Sequence, residues 1–124
     1  MSSCIFCQPD HERVFLANDL ACALWDSYPV TRLHALIIPR RHARDYFSLN
    51  ADELLACDDL LHRVRGLVMA DDAAVEGFNI GANVGEAAGQ TIFHCHFHLI
   101  PRRRGDMEDP RGGVRHLMPG KGAY

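Results

Sequence analysis

Only one stretch of this chain, residues 51–70, carries a long helical pattern, and everything else with a pattern is short and alternating. Leu54, Cys57, Leu61, Val64 and Val68 follow at steps of three and four, which gives one buried face. Asn50 can cap the first turn, and Glu53 sits three residues later as in a capping box. Before the helix, residues 13–16 and 20–25 read as two strands around the turn residues Ala17, Asn18 and Asp19. Residues 33–38 make a third strand closed by Pro39, and the polar stretch 40–47 reads as a short helix or loop. After the helix, 78–84 sets Phe78, Ile80, Ala82 and Val84 against Asn79, Gly81 and Asn83, a fourth strand with one apolar face. Strands, one helix and strands again predict an α+β fold with an antiparallel sheet. A chain of 124 residues is one domain. We place that domain in residues 1–104, followed by a glycine-rich loop tail, 105–124.

The fifth strand carries the chemistry. His94, Cys95, His96, Phe97 and His98 lie inside an apolar run from Thr91 to Ile100. A period of two sends the three imidazoles to one face, while Phe93, Cys95, Phe97 and Leu99 enter the core. Pro101 should end the strand. The backbones of His94 and His98 would lie about 13 Å apart, too far to converge easily on one metal. A row of imidazoles suits an extended substrate better, with each touching a different part of it.

Composition excludes several classes. An apolar fraction of 48% and a charged fraction of 23% are those of a soluble globular protein. The net charge of −3 gives no reason to expect a nucleic-acid partner, although the tail is locally basic. No apolar stretch reaches transmembrane length, and the first residues lack a signal-peptide pattern, so no membrane partner is expected. Five cysteines, an odd number, argue against a disulfide framework and for a reducing cytoplasm.

The run Gly89-Gln90-Thr91-Ile92-Phe93-His94-Cys95-His96-Phe97-His98-Leu99-Ile100-Pro101-Arg102 resembles the signature of the histidine triad (HIT) family of nucleotide hydrolases and transferases. Asp26, Ile37-Ile38-Pro39 and Asn79…Asn83-Val84-Gly85 also fall at family-like positions, so the resemblance covers roughly residues 4–102. It implies a homodimeric hydrolase in which His96 attacks phosphorus and His98 contacts the phosphate or the leaving group. A transferase branch carries Gln at the third triad position, so His98 favours the hydrolases. Phosphoryl oxygens need donors as charge shifts in the transition state. The backbone of Gly89 through Thr91, the Thr91 hydroxyl and the Asn83 amide are the candidates, and Gln90 could join them or orient water. The resemblance gives Asp26 the ribose hydroxyls, with the capping of a turn as the other reading. It gives Ile5, Phe6 and Leu24 the base, unless they are simply core. It also brings the tail near the site, where Arg115 would meet a leaving polyphosphate.

Cys4 and Cys7 are half of a zinc site by spacing. His42 and His94 are candidates for the other half, and one HIT branch carries this combination as a structural zinc. A redox pair or two buried thiols are the other readings. No organic cofactor is expected. Cys22, Cys57 and Cys95 sit on apolar faces and read as core, and His11, His34, His62 and His116 as ordinary. Dinucleoside polyphosphates such as diadenosine tetraphosphate and nucleoside phosphoramidates are the implied substrates, with an adenosine-containing nucleotide expected. The rival readings are a nucleotide-binding scaffold with little turnover and a metal-dependent hydrolase.

Overall fold

The computed structural model describes residues 4–9 and 12–124. His11 lies outside them. Five strands form one antiparallel sheet: β1 (Val14–Ala17), β2 (Ala21–Trp25), β3 (Ala35–Pro39), β4 (Val75–Gly81) and β5 (Phe97–Arg103), in spatial order β1-β2-β3-β5-β4. The α+β reading holds. Between β3 and β4 runs the one long helix, α1 (Ala51–Asp71), and its start is the expected capping box. The Asn50 side chain accepts from Glu53 N at 2.8 Å, and the Glu53 carboxylate accepts from Asn50 N at 3.0 Å.

The buried row of α1 is Glu53, Cys57, Leu60, Val64 and Val68. It differs from the expected row at two places. Leu60 replaces Leu61, and Leu54 is exposed because the capping carboxylate of Glu53 occupies the inward position. Burying Glu53 is tolerated because Arg41 donates to both its oxygens, each at 2.8 Å. That guanidinium holds the Glu53 carboxyl below the usual range.

Helix α1 covers one sheet face, where Ala23, Ile37, Cys57, Leu60, Val64, Cys95, Phe97 and Leu99 form the larger core. Cys57 and Cys95 are inert there, since burial pushes their thiols up to about 12 and about 11. The opposite face carries a smaller cluster of Phe6, Cys22, Leu24, Leu36 and Ile38, against which Cys4, Val14 and Ile92 pack. Among the described residues no α-helix covers this second face, and the site is built there.

The triad region departs most from expectation. Residues 91–96 are not strand, with bends at 92–94, and only His98 of the three histidines lies in β5. Pairing with β3 ends at Ile37↔Phe97. Before that point the chain hooks onto the 39–44 segment, with Cys95 N donating to Ala43 O at 2.7 Å. At its other end, β5 continues through Pro101 to Arg103. β3 begins opposite Leu99, so no ladder partner is lost on that side, and the Pro101 carbonyl instead accepts from the Thr31 hydroxyl at 2.8 Å. β4 begins three residues earlier than the alternation suggested and ends at Gly81. It is an edge strand, which leaves Ile80 53% exposed. The tail is more ordered than a loop: Gly113–Leu117 forms a short 3-10 helix.

Candidate active site

Two backbone carbonyls and one backbone amide fix three imidazoles of the second face, and they fix the tautomers too. His94 is fully buried and its Nε2 lies 2.8 Å from Pro39 O. A carbonyl can only accept, so Nε2 carries the proton and Nδ1 offers a lone pair. The Nδ1 of His96 lies 2.9 Å from His94 O, so there the proton is on Nδ1 and the free lone pair is on Nε2. His34 Nδ1 accepts from Val30 N at 3.1 Å, which leaves its proton on Nε2. That Nε2 is 2.9 Å from His98 Nδ1 and 3.3 Å from Asp26 Oδ2. In the neutral pair, His98 therefore accepts at Nδ1 and carries its proton on Nε2.

His34 is the functional residue that sequence reading missed. It directly precedes β3, two residues before Leu36, and Leu36 pairs with His98. The chain reaches it through Leu33, held in the left-handed region at φ 70, a strained conformation for a branched side chain. Burial lowers the pKa of His34 against the pull of Asp26. His98 is pushed down to about 4 by burial, then by His96 and His34, with Asp26 opposing. Burial also lowers His94, and the Pro39 carbonyl opposes it.

A cavity of about 270 Å³ lies over these groups. Ile5, Phe6, Asp26, Asn83, Gly89, Thr91, His96 and His98 all line it, together with Arg13, Ser27, Tyr28, Leu36 and Ile92. Leu24 does not: it is fully buried in the cluster that also holds Phe6. Asp26 both caps a turn, accepting from Tyr28 N at 2.8 Å, and faces His34. A larger cavity, about 470 Å³, shares His98 and Asn83 with the first and is walled by Ile80, Ile100, Val114 and Leu117. The two form one trough with His98 at its waist.

Three expectations need correction. Gln90 is buried and faces away from the trough: its amide donates to Arg44 O and Ile92 O, and its oxygen accepts from Gly85 N. It anchors the loop. The amides of Gly89 and Gln90 are spent on Glu86 O and Gly85 O, so among the described residues only Thr91 of that trio keeps an uncommitted backbone donor. Arg115 turns back into the tail, where Nε lies 3.2 Å from Lys121 O and the guanidinium stacks on Tyr124. His62 pairs with Asp58 on the helix surface, and His116 bonds Arg111 O.

Beside the trough, Cys4, Cys7, His42 and His94 bring one donor atom each to within 4.8 Å of one another. Cys7 Sγ is 3.0 Å from His42 Nδ1 and 3.5 Å from His94 Nδ1, and Cys4 Sγ is 3.4 Å from His94 Nδ1. A tetrahedral zinc with Zn–S of about 2.3 Å and Zn–N of about 2.05 Å has S···N edges of about 3.5 Å. The donor set and its spacing fit zinc, and the Pro39 carbonyl supplies the outer hydrogen bond that aims His94 Nδ1 inward. His94 and His98 thus belong to separate clusters, as the spacing along the chain implied.

The model of the HIT domain matches residues 9–105. The chain belongs to the HIT family. Among its relatives, an uncharacterised HIT-like protein of Saccharolobus solfataricus is 35% identical over 79% of this chain and 73% of its own length. The adenosine 5′-monophosphoramidase of Schizosaccharomyces pombe is 38% identical over 81% of this chain and 74% of its own. The crystal structure of a zinc-bound histidine triad family protein from Mycobacterium smegmatis superposes with a TM-score of 0.77 at 30% identity, covering 86% of this chain and 80% of that one. Among the described residues, no helix of this HIT domain is long and apolar enough to cross a membrane.

Proposed function

We propose that this protein is a nucleotide hydrolase that splits a nucleoside phosphoramidate at its phosphorus through a His96-nucleotidyl intermediate. The observation that carries the reading is the forced tautomer of His96: with Nδ1–H held on His94 O, the Nε2 lone pair is the nucleophile. As the N–P bond forms, the bond from phosphorus to the leaving nitrogen breaks, and its electron pair leaves with the amine nitrogen, which takes up a proton from solvent water. The His94 carbonyl then accepts a stronger hydrogen bond from the now cationic imidazole. His98 Nε2–H faces the leaving atom, held in that tautomer by His34. Water next displaces the imidazole and frees the nucleoside monophosphate. Asn83 and Thr91 supply donors to the phosphoryl oxygens, and the carboxylate of Asp26 keeps lone pairs for the ribose hydroxyls.

The leaving-group side favours a phosphoramidate over a dinucleoside polyphosphate. Its wall is mostly apolar, and Arg102, the one Arg or Lys among the described residues lining it, is neutralised by Asp106 at 2.7 Å. The name of the fission-yeast relative points the same way. Zinc on Cys4, Cys7, His42 and His94 is closed by four protein ligands, so it supplies structure and no open coordination position. The functional unit is a homodimer in the cytoplasm. Exposed Ile80 on edge strand β4, with Val114 and Leu117 of the tail beside it, supports a partner on that side.

A second reading uses a different cluster. Asp26, His34 and His98 also lie within 4.8 Å of one another and could hold a catalytic metal. One experiment separates the two. Adenosine 5′-phosphoramidate, an aryl-amine phosphoramidate and diadenosine tetraphosphate are offered with and without chelator. Amide cleavage that survives chelation supports the covalent route. Loss that added metal restores supports the metal route. No turnover of any of them leaves a binding protein.

A further inference from the structure

The side of the trough away from the leaving group holds a cation that the chemistry above does not use. Arg13 directly precedes β1 and lines the smaller cavity together with Ile5, Phe6, Ser27 and Tyr28. It is half-buried, and Nη2 donates to Trp25 O at 2.8 Å, one residue before Asp26. Among the described residues its Nε and Nη1 make no hydrogen bond, and no carboxylate pairs with it. A half-buried guanidinium that keeps a fork of donors open in a ligand cavity calls for an acceptor from the ligand.

The sheet fixes which part of a nucleotide that acceptor belongs to. His98 lies in β5, Leu36 in β3, Asp26 just after β2, and Arg13 just before β1. Neighbouring strands are about 4.8 Å apart, so Arg13 stands about 14 Å from β5 and on the far side of Asp26. A nucleotide with its phosphorus at His96 and its ribose at Asp26 carries its base toward β1. We propose that Arg13 reads the edge of that base and gives this protein a preference for 6-oxopurine nucleotides, those of guanine and hypoxanthine. The N7 and O6 of such a base are two adjacent acceptors that match the guanidinium fork. Adenine offers N7 but sets an N6 donor against the same N–H groups. Ile5 and Phe6 supply the apolar surface for the ring.

This inference rests on the nucleotide reading above, and the test separates the two. Binding of GMP, IMP and AMP is measured by titration calorimetry on the zinc-loaded full chain, for the wild type, Arg13→Met and Arg13→Lys. The wild type should bind GMP and IMP at least fivefold more tightly than AMP. Arg13→Met should lose that advantage while its AMP affinity stays within twofold. Arg13→Lys can keep a bond to Trp25 O and so guards against a misfolded Met variant; it should lie between the two. Equal wild-type affinities, or an equal loss for all three nucleotides in Arg13→Met, would overturn base reading and return Arg13 to the ribose, the phosphate or the packing of β1. No binding of any nucleotide to the wild type would overturn the nucleotide reading itself, and this inference with it.

Discussion

Acidification should unfold this protein through His98 in particular. Its pKa is pushed down to about 4, against 6.5 for a free imidazole. The unfolded chain therefore takes up the proton first. The stability is fully present above about pH 6.5 and is lost as the pH falls toward 4. Between pH 7.5 and 4.5 those two values cost roughly 2.5 kcal/mol for this one group. The His98 side chain is 26% exposed, so the figure needs little discount for solvent screening. His34 and His94 shift in the same direction. The comparison with His98→Gln subtracts them, since they are shared. Urea unfolding at half-unit pH intervals gives the two stability curves. The wild type should lose roughly 2 kcal/mol more than the variant over that range. Parallel curves would refute the argument and mean that His98 titrates as an ordinary surface imidazole.

Two further outcomes follow from the neighbours of the triad. Cys4→Ser should cut zinc content from close to one equivalent and lower the melting temperature, while a chelated protein that still folds keeps its amide-cleaving activity; unchanged metal content and melting would remove the zinc assignment. Gln90→Ala strips partners from Arg44 O, Ile92 O and Gly85 N. It should cost about 2–3 kcal/mol in urea unfolding and lower kcat through a loosened Thr91, and loss of kcat with unchanged stability would return Gln90 to the chemistry.

What the sequence disclosed depended on whether the cause was local. The capping box of α1 is written within four residues, and Asn50 and Glu53 form it as expected. The zinc donors were legible because Cys4 and Cys7 share a short spacing, even though His42 and His94 come from elsewhere. His34 has no such local mark: its partner His98 is 64 residues away and only the register of β3 against β5 joins them. The alternation through residues 91–96 was read correctly as to faces for the histidines and Cys95, wrongly for Phe93, which lies half-buried outside the core with Arg44 over its ring, and wrongly as to strand. A bent segment tied to Pro39 and Ala43 by its own side chain and backbone can keep a period of two without a ladder. Gln90 and Arg115 misled for one reason. Each is a polar residue near the triad in sequence, and nearby backbone carbonyls took its donors.

The central claim is that the Nε2 of His96 forms a bond to phosphorus. Rapid quench of the enzyme with an adenosine phosphoramidate into alkali, where a phosphorus–imidazole bond persists, followed by peptide mass spectrometry, tests it directly. The account predicts one nucleoside-monophosphoryl adduct on the peptide that contains His96, formed within the first turnover and lost in His96→Asn. Turnover with no adduct at any quench time, or an undiminished rate in His96→Asn, would contradict it.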